Sequence, residues 1–206
     1  MVRSMKHALA LSGILALAGC GHMPVSTMLS LRNFDFSTFD PAVLRVAVRS
    51  PDWLETQPGG AKLKVGLWTE GREKEKQTEI FVLAENNTPQ EAASLARFRK
   101  DRTRILAFRV ADTDVPRIRA LQAQARDAQR PAVAKRHLEL SIDVDSCHRR
   151  DIPAGPIYST TYLKPDAATS YLVFLEDVDL RKAAGEAGKS LDEVMPSCGK
   201  INERAG

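Results

Sequence analysis

The chain is poor in the side chains and signatures on which most enzymes are built. It holds four histidines and three cysteines in 206 residues. There is no Gly-x-Ser-x-Gly elbow, no phosphate-binding loop and no Gly-x-Gly-x-x-Gly fingerprint, so serine hydrolase, NTPase and dinucleotide chemistry have no starting point. His137 stands at no zinc-ligand spacing from the cysteines. His148 directly follows Cys147, but neighbours on a strand point to opposite faces, so it cannot serve that thiol as a base. Internal repeats and low-complexity tracts are missing. Apolar runs long enough to span a membrane are missing too: the segment from Ala8 to Ala18 would rise only about 16 Å as a helix, roughly half a hydrocarbon core.

What the N-terminus does hold is ordered. Arg3 and Lys6 precede that apolar segment, with no acid among the first seven residues, which is the layout of a signal peptide. Leu17, Ala18 and Gly19 then lead into Cys20. These residues resemble the lipobox of bacterial lipoproteins, and the resemblance covers residues 1–20 only. It implies that residues 1–19 are removed, that the Cys20 thiol carries a diacylglyceryl group, and that Cys20 becomes the acylated N-terminus. Two or more acyl chains make such an attachment stable, where one holds only marginally. Gly21 stands where an inner-membrane retention signal usually places Asp, so the resemblance favours the outer membrane, with the domain facing the periplasm. Beyond its signal the chain resembles only uncharacterised proteobacterial lipoproteins, a likeness that implies no activity.

Removing residues 1–19 takes away two basic residues and no acid, leaving 28 Lys plus Arg against 26 Asp plus Glu. The basic pI of the whole chain shrinks to a mild bias, and nucleic-acid binding loses both its charge argument and its compartment. The run "RFRKDRTR", Arg97 to Arg104, could touch anionic head groups or a sugar phosphate. Charge runs more often mark a solvated turn, here between a helix and a strand. With Cys20 acylated, Cys147 and Cys198 are the remaining thiols, and an oxidising periplasm favours a disulfide between them. Closing that loop stabilises the fold by about 4 kcal/mol in the chain-entropy model.

Residues 20–39 read as a tether, with Phe34, Phe36 and Phe39 suggesting that its later part docks. Residues 40–206 read as one globular domain. Asp40 and Pro41 open a capped turn, after which Leu44, Val46 and Val48 alternate with Arg45 and Arg49. Leu63, Val65 and Leu67 alternate with Lys62 and Lys64, and "IFVLA", Ile80 to Ala84, is apolar on both faces as a central strand would be. Thr88, Pro89 and Glu91 spell a capping box ahead of a helix with Ala92, Leu95 and Ala96 on its apolar side. A strand over Arg104 to Ala111 follows. A second helix from about Val115 to Arg130 has only a narrow stripe of Val115, Ile118, Leu121 and Ala125, which predicts a thinly packed surface helix. Strands over "HLELSIDVDSCH", "IYSTTYL" and "YLVFLEDVDL" complete the order β-β-β-α-β-α-β-β-β. The fold class is α+β: a mainly antiparallel sheet, or a sandwich, with two inserted helices.

Glu139, Asp143 and Asp145 share one strand face and are the carboxylates that could hold a hard cation such as calcium. A second acid group, Glu176, Asp177 and Asp179, could converge on them. The alternation reads more simply as the solvated face of a half-buried strand, so no metal and no cofactor is expected. The resulting expectation is a membrane-anchored periplasmic lipoprotein that is a non-catalytic binding or scaffolding component of an envelope assembly. Its partners would be the membrane, through acylated Cys20, and an envelope protein. The alternatives are a hydrolase of an envelope polymer or lipid using Asp143 and Asp145 as acid and base, and a carrier of a small apolar ligand.

Overall fold

The structure is a computed structural model and describes residues 39–127 and 136–205. The signal segment, Cys20 and the tether before Phe39 lie outside the described residues. The elements in chain order are β1 (Arg45–Pro51), β2 (Leu54–Thr69), β3 (Gln77–Glu85), α1 (Pro89–Ser94), β4 (Thr103–Val110), α2 (Val115–Asp127), β5 (Arg136–His148), β6 (Tyr158–Lys164), β7 (Leu172–Asp179), α3 (Leu180–Glu186), α4 (Leu191–Val194) and α5 (Cys198–Ala205). All seven strands join one antiparallel sheet of order β5-β2-β3-β4-β1-β6-β7. The sheet curls. Inward side chains from both edge strands, Ile142 and Val144 of β5 and Phe174 of β7, pack on one core with Val46, Leu63, Phe81 and Phe108 from the strands between them.

The alternation in β2 sets this core: Ala61, Leu63 and Val65 are buried and Lys62 and Lys64 look outward. β3 departs from expectation. Phe81 and Leu83 are buried, but Ile80 and Val82 are half exposed, because nothing among the described residues covers the outer face at that point. An apolar run on both sides of a strand does not by itself place a second layer there. The second helix, α2, also departs from expectation. Its stripe is narrow as read, but Val115, Ile118 and Leu121 belong to the main core and Ile118 has no exposed surface. The few apolar side chains plug the curled sheet, and the arginines around them stay in water.

The other face of the sheet is covered where β4, β1 and β6 lie side by side. Leu95, with Phe98 beside it, packs on Ala47, Ala107, Tyr162 and Tyr171. The start of α1 is half of the expected capping box: the Thr88 hydroxyl accepts from the Glu91 backbone N–H at 3.2 Å. The Glu91 carboxylate turns instead to the Tyr171 hydroxyl, which donates to it at 2.8 Å, and to Arg45. This layer encloses β1 residues that the alternation assigns to solvent, and Arg49 is only 7% exposed.

Three helices after β7 carry no periodic signal long enough to announce them. α3 is capped by Asp179, and α4 by a complete box of Ser190 and Glu193. They close one end of the sheet through Met195, Leu180 and Val194, packed with Trp53, Leu54 and Ile157. Cys147 at the end of β5 and Cys198 at the start of α5 form the disulfide expected from the cysteine count. Among the described residues no helix is long and apolar enough to cross a membrane.

Candidate functional site

The acids singled out in the sequence are absorbed by the ladder. Asp143 pairs with Lys64 and Asp145 with Lys62, diagonal neighbours across β2 and β5 on their outward face. The hydrogen bond that Lys64 donates to Asp143 holds its ammonium above its usual range. Glu139 lies on the same strand opposite Gly66. Both aspartates edge an open groove of about 690 Å³ bounded by α3 and α4. In the second group, Asp179 caps α3, accepting from the Ile157 and Arg181 backbone N–H groups. Asp177 faces Arg49. The two groups stand on β5 and β7, the opposite edges of the sheet, and each has its own partners.

One set of potential metal ligands among the described residues, Glu55, Cys147 and Cys198, has donor atoms within 4.8 Å of one another. Both sulfurs are consumed in the disulfide, and Glu55 is held by Arg104 and Arg149. Those donors do not make a cation site. Inside the curl, a cavity of about 200 Å³ lies among Val48, Leu106, Ile142, Val144 and Leu175. It falls below the ~300–1,000 Å³ of ordinary small-molecule sites.

The basic run from Arg97 to Arg104 is the turn between α1 and β4, as its composition implies, but it is held firmly. Phe98 stacks on Tyr162 with ring centres 4.4 Å apart, and Arg97 donates to the Tyr171 carbonyl at 2.8 Å. The Thr103 hydroxyl donates to the Lys100 carbonyl at 2.7 Å, closing a turn in which Arg102 adopts φ +55°. An L residue rarely takes that conformation without a compensating constraint. Here the Arg102 carbonyl accepts from the Asp52 N–H at 3.0 Å, tying the turn to the end of β1.

A second basic pair joins it from a distant part of the chain. Arg149 and Arg150 follow β5, and the Trp53 carbonyl accepts from the Arg149 N–H at 3.1 Å. The Glu55 carboxylate bridges Arg149 and Arg104, while Asp52 pairs with Arg150. Glu55 is held below the usual carboxylate range, chiefly by the hydrogen bond from Arg149. Lys100 reaches Asp177, which Arg49 also holds. Segments 97–104 and 149–150 thus carry seven cations, and the acids among and beside them are Asp52, Glu55, Asp101, Asp151 and Asp177. Arg99 and Arg102 have no carboxylate partner among the described residues. Both line a groove of about 680 Å³ between α1 and β4, with Lys100, Asp101 and Arg104 alongside.

The sequence offered half of this site. The run 97–104 stands out by composition, whereas Arg149 and Arg150 are only a doublet, and nothing local says that Glu55 and Asp52 draw the two segments to one end of the sheet. The other end is where the described chain begins: Asp40 pairs with Arg119 of α2, and Gln122 donates to the Phe39 carbonyl at 2.8 Å. No family model, curated protein or solved structure matches the chain.

Proposed function

We propose that the chain is a lipid-anchored, non-catalytic binding domain of the bacterial envelope. Acylated Cys20 holds it to a membrane, the outer membrane by the residue at position 21, and the domain faces the periplasm. The observation that carries the binding reading is the convergence of segments 97–104 and 149–150 into one rigid basic face, on which the guanidinium groups of Arg99 and Arg102 have no acceptor among the described residues. A surface built only for folding pairs or dilutes its charge, whereas a contact face presents it.

The arrangement suits an anchored protein. β1 carries the chain from its tether end, at Arg45, to the basic end, at Pro51, where that strand meets Thr103 of β4. Seven residues of strand separate the ends by about 20 Å. A tether of 19 residues, from Cys20 to the residue before Phe39, spans up to about 60 Å when extended. The basic face is therefore free to meet a partner standing away from the anchor. The hydrolase alternative needs Asp143 and Asp145 to act on a substrate between them, and each is instead engaged by its own lysine. The apolar carrier needs more interior volume than the curl provides.

Crosslinking in intact cells, with the native protein compared against Cys20→Ser, tests this reading. The expected result is a reproducible envelope partner captured by the native chain and lost from the unanchored one. Capture of no partner by an abundant, folded native chain overturns it.

A further inference from the structure

We propose that the groove between α1 and β4 is a binding site for a phosphate-bearing ligand, with Arg99 and Arg102 as its principal donors. The inference rests on the reading of the basic end as a contact face, and names the chemistry that face takes. Two features select phosphate. The cations at this end are arginines apart from Lys100, and the planar guanidinium fork matches the oxygens of phosphate and carboxylate groups in pairs of hydrogen bonds. A carboxylate has two oxygens, enough for a single fork. Arg99 and Arg102 line the same groove with no acceptor among the described residues, and both can instead donate to a group with three terminal acceptor oxygens, which a phosphate monoester supplies.

The acids at the groove do not stand in for such a ligand. Glu91 is taken by Arg45 and Tyr171. Asp101 is exposed and lies within hydrogen-bond reach of neither Arg99 nor Arg102. The site is preformed, since the turn is fixed by Phe98, Thr103 and Asp52, so little ordering of the backbone opposes binding. A volume of about 680 Å³ holds a sugar phosphate or a lipid headgroup rather than a bare ion alone.

The test is titration calorimetry on the full acylated protein in a neutral detergent at low salt. The probes are glucose 1-phosphate, the short-chain lipid dihexanoyl phosphatidic acid and, as a dicarboxylate control, glutarate. Binding of either phosphate probe, at least roughly tenfold tighter than glutarate and weakened by a similar factor in Arg99→Ala/Arg102→Ala with unchanged Tm, supports the proposal. Preference for the lipid identifies a headgroup as the source, and preference for the sugar a phosphorylated glycan. Arg99→Lys/Arg102→Lys keeps the charge without the fork and is expected to bind at an intermediate level. The proposal is overturned if neither phosphate probe binds, if glutarate binds as well, or if the double alanine variant binds as the native protein does. Such a failure, with the crosslinked partner still captured in cells, would leave the envelope-binding reading standing and remove only its phosphate chemistry.

Discussion

Arg49 on β1 donates to Asp177 on β7 at 2.9 Å, although β6 lies between the two strands. The guanidinium crosses β6 by way of Thr160, whose hydroxyl accepts from Arg49 and donates to Asp177, each at 2.9 Å. The Tyr162 hydroxyl and the Phe98 carbonyl complete its set of acceptors. Asp177 pays for its place with a backbone at φ +42°. Arg49→Met preserves much of the side-chain volume but leaves Asp177 and these acceptors facing an apolar chain. It is expected to lower the free energy of unfolding by about 3 kcal/mol, read from urea denaturation at neutral pH. A loss below about 1 kcal/mol would mean that the network is solvated.

The same network and the basic end contribute to the acid response, beside the depressed carboxyls of Asp40, Asp166, Asp179 and Glu193. Burial acts to raise the Asp177 carboxyl, but Thr160, Lys100 and Arg49 together hold it below its ordinary 3.8. Arg149 and Arg104 hold Glu55 below its ordinary 4.5, the Arg149 hydrogen bond being the larger effect. A carboxyl depressed in the fold contributes stability that is present above its unfolded value and is lost as pH falls through its folded value. Stability is therefore expected to be flat from about pH 8 to 5 and to drop below about pH 4. Urea unfolding at stepped pH measures it, and Glu55→Gln should flatten the acid limb.

The disulfide joins the end of β5, two residues before Arg149, to the C-terminal helix, across 51 positions. Reduction or Cys198→Ser is expected to destabilise the domain by about 4 kcal/mol through the freed unfolded chain. The readout is Tm with and without reductant. In denaturant, alkylation of Cys147 and Cys198 should require prior reduction, and two free thiols without it would contradict the bond.

How far the sequence could lead is visible in particular residues. Leu63 and Val65 announce β2, because period-two burial is a local property. Leu54 to Gly60 of that strand do not, since the register of β2 against β5 shifts between Thr56 and Ala61. Arg49 reads as a solvent-facing residue of β1 until Leu95 and Phe98, brought over by a later turn, enclose it. The charged turn is legible as far as Arg104. Its junction with Arg149 depends on Glu55, a contact between three stretches of chain that no window spans.

Ile118 on α2 tests the correction to that helix. A side chain on a wet surface helix could be truncated with little effect, but this one has no exposed surface and belongs to the main core. Ile118→Ala is expected to cost about 3 kcal/mol by denaturant unfolding. Arg119→Ala, one position on and exposed, should change stability by less than about 1 kcal/mol despite its pairing with Asp40.

Arg102 separates what its backbone costs from what its side chain does. At φ +55° any residue with a Cβ is strained, and the left-handed conformation costs an L residue about 1–2 kcal/mol. Glycine relieves that strain, offset by about 0.5–1 kcal/mol of extra unfolded-state entropy. Arg102→Gly should therefore match or exceed the native stability, whereas Arg102→Ala, which keeps the strained Cβ, should gain nothing. Both remove the guanidinium and should weaken phosphate binding equally. A glycine variant that is as stable as the native protein, or more so, but defective in binding would mean that the strain is tolerated for the sake of the arginine. Should glycine prove less stable than alanine, the turn is not held against its preference. Should it bind phosphate as the native chain does, Arg102 is not a donor.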